Sequence, residues 1–540
     1  MAIYLGFDLG TQGLTAIAIA VEATRREVVF ERSLDFDTEF PHYQTRHGVL
    51  PREDPLVATS SPLLWAEALD RMMALIARES DLDLSRIRAV SGSAQQHGSV
   101  YLNATAGAAL AGLDAGRPLA AQLVGIFSRK VAPIWMDSST TRQCAEITHA
   151  LGGAEAVARL TGSRAFERFT GPQIRKFHEH DPASYRRTET VHLVSSYLAS
   201  LLAGTRAPIE PGDGAGMNLM DLARKRWAPA ALAATAPDLA AKLPPLSEPW
   251  AVVGSLSPYW MRRHGFPAAA VIAWSGDNPC SLVGTGLVTE GAMGISLGTS
   301  DTAFALMRDP QPDPSGAGTV FGAPTGDYMG LICFKNGSLA RERVRNHHGM
   351  DWAAFSRALR DTRPGNGGAL MLPWFEPEIT PNVVHPGVRR FGLDPADGPA
   401  NARAVVEAQM MALANHAGWM RVRVREIRAT GGAAANRAIL QVMADVHDAE
   451  VRQLKVGNSA CLGAALRAYH ADEVAQGRHI PWSAVVAGFV EPEEPAIRPD
   501  ARHLPIYKDL KEIYAACEAH ALGDGPDPAP RLAAFRRTFG

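Results

Sequence analysis

The sequence predicts two α/β domains of similar design, and three observations lead to that prediction. The chain has 540 residues, which is too long for one hydrophobic core. Strand-like and helix-like patterns alternate along it, as they do in α/β proteins. A short motif, LGFDLGTQGLTA at residues 5–16, returns as MGISLGTSDTAF at residues 293–304. Such internal repetition indicates two copies of one structural unit.

Hydrophobic periodicity assigns elements to the first half of the chain. The predictions are, in order, a β-hairpin over 2–21, a helix over 61–80, two strands about a bend of small residues over 87–102, a surface segment over 104–125, and a buried strand leading into a helix over 132–148. That last helix is predicted to begin near Asp137 and Ser138, because Asp and Ser are favoured N-caps. Residues 145–270 are predicted to be mainly helical.

The same reasoning covers the second half of the chain. The predicted elements are a strand over 269–274, a helix that starts near Pro279, a second hairpin over 292–307, a strand followed by a helix over 427–448, and a helix over 459–471. The Gly- and Pro-rich tail over 523–540 is predicted to be irregular until its last turn. The domain boundary is expected within 255–290, which gives an N-terminal domain over 1–270 and a C-terminal domain over 271–540.

Composition and charge argue against several classes of function. Lys and Arg number 54 and Asp and Glu number 56, so a net charge of −2 gives no general attraction to nucleic acid or to an anionic membrane. The five cysteines are scattered without a C-x-x-C pair, which favours reduced thiols over disulfides or a zinc site. The N-terminus lacks signal-peptide features, and no apolar run reaches the roughly 18–20 residues of a membrane span. We therefore expect a cytoplasmic protein without a nucleic-acid or membrane partner.

Each copy of the repeated motif is a glycine-rich turn between two strands. Such a turn exposes successive backbone N–H groups, which together form a concave site for an anion. One copy alone is more simply explained as an ordinary hairpin, but two copies that match at four positions favour a shared role. Two turns, one from each domain, would grip a polyphosphate such as that of ATP. The predicted ATP-binding residues of the turns are Gly10, Thr11, Gln12, Gly298, Thr299 and Ser300.

The two copies differ at one carboxylate, since Asp8 in the first becomes Ser296 in the second. Phosphate transfer needs a divalent cation that bridges phosphate oxygens, and Mg²⁺ keeps most of its water ligands, so one carboxylate suffices. A second carboxylate facing the phosphates would repel them. Asp8 is therefore the predicted Mg²⁺ ligand.

The stretch AWSGDNPC places Asp277 directly after a strand and before a helix. A carboxylate there can accept the proton of a hydroxyl that attacks the terminal phosphate. In isolation, an Asp before a helix is more often an N-cap. Its position just upstream of the second turn favours a catalytic role instead, and Asn278 beside it can contact a neighbouring hydroxyl.

Several stretches together resemble the FGGY carbohydrate kinases. They include FDLGTQG, SGSAQQHGSVYL, TGSRAFERFTGPQI, SGDN, ISLGTSDT, CFKNGSLARERVRN and TGGAAANRAILQVMADV, and they span residues 3 to about 470. The resemblance implies the fold class of that family, which is α/β with two actin-like ATPase (ribonuclease H-like) domains about a central cleft. The N-terminal domain would then bind the sugar, and the C-terminal domain the nucleotide.

The resemblance also implies roles for matching residues. Asp277 would be the catalytic base, with Asn278, His97 and Arg168 binding the sugar. The ATP-binding set is extended by Trp352, Gly432, Ala433 and Asn436. Without the resemblance, a histidine placed like His97 is more often a core residue with its hydrogen bonds satisfied, and Arg168 would be interpreted as a solvated charge on a helix. For Trp352, a place in the core and a contact with adenine are about equally expected.

The implied activity is an ATP- and Mg²⁺-dependent phosphorylation of the terminal hydroxyl of a ketose, with D-xylulose the expected substrate. The alternatives are another ketose or a polyol, such as ribulose or a tetrulose. A non-enzymatic actin-like nucleotide switch is the alternative from another class, but it gives no reason for a GDN stretch before the second turn. The partners expected are the sugar and ATP, with the chain a monomer or homodimer.

Overall fold

The computed structural model describes residues 1–22, 25–455, 457–491 and 493–540. The strands of the first half are β1 (Ala2–Leu9), β2 (Gly13–Val21), β3 (Arg26–Asp35), β4 (Thr59–Ser60), β5 (Ile87–Ala94), β6 (Ser99–Asn103), β7 (Ala132–Pro133), β8 (Thr188–Leu193), β9 (Met220–Asp221), β10 (Arg226–Trp227), β11 (Val252–Ser255), β12 (Ala270–Ile272) and β13 (Ser275–Gly276). Its helices are α1 (Phe36–Glu39), α2 (Pro62–Glu79), α3 (Ala106–Ala111), α4 (Leu119–Leu123), α5 (Thr141–Ala150), α6 (Ala154–Thr161), α7 (Thr170–His180), α8 (Pro182–Arg187), α9 (Val194–Ala203), α10 (Pro211–Gly214), α11 (Pro229–Thr235), α12 (Leu239–Lys242), α13 (Pro258–His264) and α14 (Asp277–Gly284).

The second half repeats the alternation of strands and helices. Its strands are β14 (Ala292–Leu297), β15 (Asp301–Met307), β16 (Thr319–Gly322), β17 (Tyr328–Phe334), β18 (Leu370–Leu372), β19 (Arg389–Phe391), β20 (Glu426–Thr430) and β21 (Glu450–Gln453). Its helices are α15 (Ser338–His347), α16 (Trp352–Asp361), α17 (Gly398–His416), α18 (Arg437–His447), α19 (Ser459–Ala475), α20 (Trp482–Val486), α21 (Leu504–Leu522) and α22 (Ala529–Phe539).

Each half builds one large sheet, and five strands of each share one order, in which β3-β2-β1-β5-β12 corresponds to β17-β15-β14-β20-β21. The first runs β11-β12-β5-β1-β2-β3, with β13 also paired to β5, and the second runs β16-β17-β15-β14-β20-β21. In both sheets a hairpin, β1–β2 or β14–β15, is antiparallel, and its first strand pairs in parallel with the next strand of the core, β5 or β20. The predicted repeat of one α/β unit is therefore confirmed.

Strand β1 is buried on both faces because a different helix covers each. Ile3, Leu5 and Phe7 point to the same side as the apolar residues of α2. On the other side, Tyr4 packs with residues of α19, a helix from the far end of the chain. At Gly6 a Cβ atom would lie 2.3 Å from the carbonyl oxygen of Cys461. Only glycine allows α19 to approach β1 this closely.

Helix α19 thus ties the end of the chain to the first sheet. It also packs against α14, where a Cβ at Gly284 would lie 1.8 Å from the carbonyl oxygen of Ser459. A Cβ at Gly463 would lie 1.9 Å from the carbonyl oxygen of Cys280. The two helices, α14 and α19, therefore pack backbone against backbone. The division of the chain into domains at 270/271 stays a prediction.

Three local predictions differ from the structure. The tail is not irregular, because Ala529–Phe539 forms helix α22, whose Leu532 and Phe535 are buried. The helix predicted to start near Asp137 begins at Thr141, since the Asp137 carboxylate instead accepts hydrogen bonds from the main chain of Ala58 and Ser139. The surface segment at 104–125 contains the short helices α3 and α4, which bury leucines against the first core. Within the described ranges, no helix is both long and apolar enough to cross a bilayer.

Candidate active site

Three parallel strands of the first sheet end together and bring two carboxylates to one edge. In the strand register, Asp8 of β1 lies opposite Ser93 of β5, and Ser275 of β13 pairs with Ser93 from the other side. Asp277 follows Ser275 by two residues and begins helix α14. Carboxyl ends of parallel strands are where α/β proteins place ligands.

Asp8 lies at the end of β1 in a buried, hydrogen-bonded setting. The hydroxyl of Ser93 donates to its Oδ1 at 2.7 Å. Burial raises the pKa of Asp8, and the Ser93 hydrogen bond opposes that rise. A carboxylate that is costly to keep charged in isolation is a natural partner for a cation. Nowhere in the described ranges do three or more His, Cys, Asp or Glu side chains converge as metal ligands. One carboxylate is enough for a hydrated Mg²⁺, so Asp8 could hold the cation, and its role as the Mg²⁺ ligand stays a prediction.

Asp277 stands at the N-terminus of α14 and is held by its neighbour. The backbone N–H of Asn278 donates to Asp277 Oδ1 at 2.8 Å, and Nδ2 of Asn278 donates to the same oxygen at 3.0 Å. Burial, reinforced by the negative charge of Asp8, raises the pKa of Asp277 from 3.8 to about 7. A carboxylate with a pKa near neutrality is well matched to accepting a proton from a hydroxyl group.

Gln96 fixes Asn278, and sequence reasoning did not single it out. Its Oε1 accepts a hydrogen bond from Asn278 Nδ2 at 2.8 Å, and its Nε2 donates to the carbonyl of Gly212 at 3.3 Å. The side chain lies on Gly276, where a Cβ would approach Gln96 Cγ to 2.3 Å. The glycine of the SGDN stretch therefore makes room for Gln96, which in turn orients Asn278.

Two further acidic residues lie behind the site. Asp213 and Glu210 are both almost fully buried, and Asp213 accepts a short hydrogen bond from the hydroxyl of Ser195, at 2.5 Å. Burial, with the nearby charges of Glu210 and Asp277, raises the pKa of Asp213 well above its ordinary value. The Glu210 side chain caps helix α10 by accepting from the Asp213 N–H at 3.0 Å. The acidic group around Asp277 is therefore larger than the sequence suggested.

His97 and Arg168 lie together beside this edge. The His97 ring stacks on Phe169 with a centroid distance of 4.1 Å. Its Nδ1 lies 2.8 Å from the carbonyl oxygen of Gly216, so this nitrogen carries the proton and donates. Burial, and then the charge of Arg168, lowers the pKa of His97 to about 3, which keeps the ring neutral. Its Nε2 is consequently an acceptor for a ligand hydroxyl.

Arg168 lies over aromatic rings and is not a solvated helix charge. Its guanidinium lies 4.7 Å from the ring centre of Phe166 and 5.6 Å from that of Phe169. No side chain or carbonyl in the described part of the chain accepts a hydrogen bond from it. Phe321, from the second half, lies 6.3 Å from His97. The surroundings of His97 thus include residues from both halves of the chain.

The first glycine turn joins β1 and β2. The N–H of Gly10 donates across the turn to the carbonyl of Gly13 at 2.9 Å. The Thr11 hydroxyl accepts from Nε1 of Trp135 at 2.7 Å, while Gln12 is exposed. The half-exposed Trp135 is a contact of this turn that local sequence patterns do not predict.

The second turn joins β14 and β15 and is supported by two neighbouring segments. The N–H of Ser338 donates to the carbonyl of Gly298 at 2.8 Å. On another side, a Cβ at Gly431 would lie 2.5 Å from the carbonyl oxygen of Leu297. Thr299 and Ser300 are exposed at the tip.

A cleft of about 690 Å³ opens beside the second turn. Ser338 lines it at the end next to the turn, and Asn436 caps helix α18 while its Nδ2 donates to the hydroxyl of Ser356 at 2.9 Å. Trp352 is 39% exposed on its wall, so it is not a core aromatic. The structure thereby brings the second-domain candidates into one cleft, namely Trp352, Gly432, Ala433 and Asn436. Its size and small-residue floor suit a nucleoside.

The candidate residues fall into two groups. One lies at the edge of the first sheet and contains Asp8, the first turn, His97, Arg168, Asp277 and Asn278. The other comprises the second turn and the cleft beside it. Across the described ranges, no hydrogen bond or ion pair joins the first turn to the second.

Comparison with known proteins agrees with this arrangement. The profile of the N-terminal domain of the FGGY family of carbohydrate kinases matches residues 130–284, and that of the C-terminal domain matches residues 293–471. The chain is 41% identical over 536 residues to the xylulose kinase of Mus musculus, covering 97% of this chain and 95% of that one. It is 40% identical to xylulose kinase 2 of Arabidopsis thaliana, covering 87% of each.

Solved structures share the fold at low sequence identity. The xylulose kinase from Rhodospirillum rubrum superposes with a TM-score of 0.80 at 20% identity, covering 96% of this chain and 99% of that one. The glycerol kinase from Plasmodium falciparum, solved with ADP, superposes with a TM-score of 0.76 at 14% identity and covers 96% and 98%. The predicted fold class, two actin-like ATPase domains about a cleft, is confirmed. This chain belongs to the FGGY family of carbohydrate kinases.

Proposed function

We propose that this protein transfers the terminal phosphate of ATP to the terminal hydroxyl of D-xylulose, giving D-xylulose 5-phosphate and ADP. The observation that carries the proposal is the full-length similarity to curated xylulose kinases at 40–41% identity. The paired carboxylates at the edge of the first sheet supply a base and a cation ligand for the same reaction.

The sugar lies against the first sheet in this proposal. His97, neutral and donating through Nδ1 to Gly216, offers Nε2 as an acceptor to a sugar hydroxyl. Arg168 and Asn278 add N–H donors for sugar oxygens. Because the Arg168 guanidinium is stacked on Phe166 and Phe169, it is pre-oriented, and less side-chain entropy is lost on binding.

Asp277 acts as the general base. In its ionised form it accepts the proton of the attacking hydroxyl as the oxygen bonds to phosphorus and the bond to the ADP oxygen breaks. The hydrogen bonds from Asn278 fix one carboxylate oxygen, Oδ1, and leave Oδ2 to take the proton. Binding in a cleft between two halves aligns the reactants and excludes water, which would otherwise waste ATP.

ATP spans the second turn and the cleft beside it. The turns at Gly10–Gln12 and Gly298–Ser300 surround the phosphates, and the adenosine lies over Gly432 and Ala433 beside Trp352. Asp8 would hold Mg²⁺, directly or through water, and the bound cation offsets negative charge on the phosphate oxygens. We also expect the chain to act as a monomer or homodimer in the cytoplasm.

The test is a coupled assay of ADP formation with purified protein, ATP and Mg²⁺. D-xylulose is compared with ribulose, a tetrulose, several polyols and a sample without sugar. We expect D-xylulose to give the highest kcat/KM and to yield a product heavier by one phosphate in mass spectrometry. A higher kcat/KM for another sugar would reassign the substrate, and ADP release that no sugar stimulates would refute the kinase proposal.

A further inference from the structure

The CFKNGSLARERVRN stretch contains a buried arginine whose partner belongs to the second glycine turn. Arg341, in α15, is 0% exposed, and Asp301, which directly follows Ser300, is 1% exposed. Their contact is bidentate, with Nη1 to Oδ2 at 2.7 Å and Nη2 to Oδ1 at 3.0 Å. Paired parallel hydrogen bonds of this kind fix orientation as well as distance.

Gln409, from α17, extends the contact to the segment that carries the turn. Its Oε1 accepts from Arg341 Nη1 at 2.7 Å. Its Nε2 donates to the carbonyls of Asn336 and Gly337, at 2.7 and 3.0 Å. Arg341 Nη2 also donates to the Ser338 hydroxyl at 3.0 Å. One guanidinium therefore connects three segments: β15, α17 and the start of α15.

Segment 336–338 is in direct contact with the turn. The Ser338 N–H donates to the carbonyl of Gly298 at 2.8 Å. A Cβ at Gly337 would lie 2.7 Å from the carbonyl oxygen of Thr299 and 2.8 Å from that of Gly298. With those carbonyls turned toward Gly337 and Ser338, the position of this segment determines the plane of the turn.

The two turns are held in place by different kinds of contact. At the offset of 288 residues, the position of Asp301 corresponds to Gly13 in the first copy. A Cβ at Gly13 would lie 2.3 Å from the carbonyl oxygen of Leu34, so the first turn is held by close backbone packing. The second turn has a charged side chain at that place, and its anchor is Arg341.

We propose that Arg341 is a positioning residue for nucleotide binding, which holds Asp301, Gln409 and Ser338 so that the amides of Gly298–Ser300 face the phosphates of ATP. This rests on the proposed function only in naming ATP as the ligand. Burial raises the pKa of Asp301 and the guanidinium opposes that rise, so the carboxylate relies on Arg341 to stay charged. A buried ion pair often adds no net stability over apolar side chains, but it does specify geometry.

The test uses Arg341→Lys with a matched control. Lysine keeps the charge but loses the planar fork that reaches Asp301, Gln409 and Ser338 at once. The control is Arg263→Lys, because Arg263 also pairs with a buried aspartate, Asp70, at 3.0 Å. Its other hydrogen bond goes to the carbonyl of Ala115, and neither partner belongs to a glycine turn or to the cleft beside the second turn. Both variants should lower the thermal midpoint. Only Arg341→Lys should raise the KM for ATP and the Kd for ADP, each about tenfold, with the sugar KM within about twofold of wild type.

A second variant keeps the proposal testable where Arg341→Lys does not fold. Gln409→Met retains length and loses the hydrogen bonds to Asn336, Gly337 and Arg341. It should raise the Kd for ADP in the same direction. An unchanged ADP Kd in the folded variants, or an equal rise in Arg263→Lys, would overturn the assignment. Calorimetric titration of ADP needs no turnover. It therefore tests the role of Arg341 separately from the proposed function, which is refuted if the wild-type protein shows no sugar-dependent ADP formation.

Discussion

Replacing Asp277 with asparagine should abolish turnover and stabilise the protein at the same time. The carboxamide has the shape of the carboxylate. Its oxygen can still accept the hydrogen bond from the Asn278 N–H, which is 2.8 Å long in the wild-type structure. What is lost is the ability to accept a proton from the attacking hydroxyl. We expect kcat to fall by about three orders of magnitude or more, with the affinity for ADP little changed.

The stabilisation follows from the electrostatics of the site. Burial and the charge of Asp8 raise the pKa of Asp277 from 3.8 to about 7, so above that pH the charged group costs the folded state about 4 kcal/mol. The sign follows from proton binding: the folded protein holds this proton more tightly, so wild type loses stability as the pH rises from 3.8 to about 7. Asparagine at position 277 carries no charge and avoids this cost. Its stabilising effect should be larger at pH 8 than at pH 5 by about 3 kcal/mol, from two pH units at about 1.4 kcal/mol each.

Urea unfolding at pH 5 and pH 8, followed by tryptophan fluorescence without ligands, measures the free energies of unfolding. Asp70→Asn is the control, since Asp70 is buried as well but paired with Arg263 and His264, which lower its pKa. That substitution should destabilise by about the same amount at pH 5 and pH 8, because both lie above the ordinary pKa of Asp70, and it should leave kcat unchanged. Equal or lower stability of Asp277→Asn at pH 8 would refute the electrostatic reasoning. Turnover near the wild-type rate would refute the base assignment.

Three further outcomes are expected. His97→Ala removes the acceptor Nε2 and should raise the sugar KM about tenfold with the ATP KM unchanged. An unaffected sugar KM in a steady-state titration would show that His97 is not part of the sugar site. Trp352→Ala should raise the ATP KM about tenfold and leave the sugar KM unchanged, because the half-exposed ring lines the cleft at the second turn. A raised sugar KM with an unchanged ATP KM in the same assay would exclude a contact with adenine. The kcat/KM for sugar should fall about tenfold per pH unit below about pH 7, because Asp277 must be ionised to accept a proton. A flat pH profile of kcat/KM between pH 5 and 7 would contradict the raised pKa of Asp277.

Local patterns predicted the parts of the fold that local sequence determines. The two hairpins are confirmed because alternation and glycine turns are properties of about ten neighbouring residues. Asp277 was singled out because a strand, a carboxylate and a helix start lie within eight residues. The predicted roles of these residues stay predictions until variants are assayed.

Contacts between distant segments were not accessible to the same reasoning. Gln96 orients Asn278 across 182 residues of sequence, and Asp213 reaches the site from the short helix α10, which has no catalytic pattern of its own. Helix α22 follows a Gly- and Pro-rich stretch that predicts a loop, yet Phe535 is buried near Gly365 and Gly368. Tertiary packing therefore decides what these residues do, and local propensity does not.

The return of α19 to the first sheet has a consequence for how the chain is made. While a ribosome has synthesised only the first 290 residues, Tyr4, Ile17 and Ile19 lack the helix that covers them, and one side of the sheet is bare. The nascent N-terminal half must wait for residues 459–475 before its core is complete. Expressed as a separate fragment, that half should aggregate, and supplying the remaining polypeptide in trans should restore its solubility.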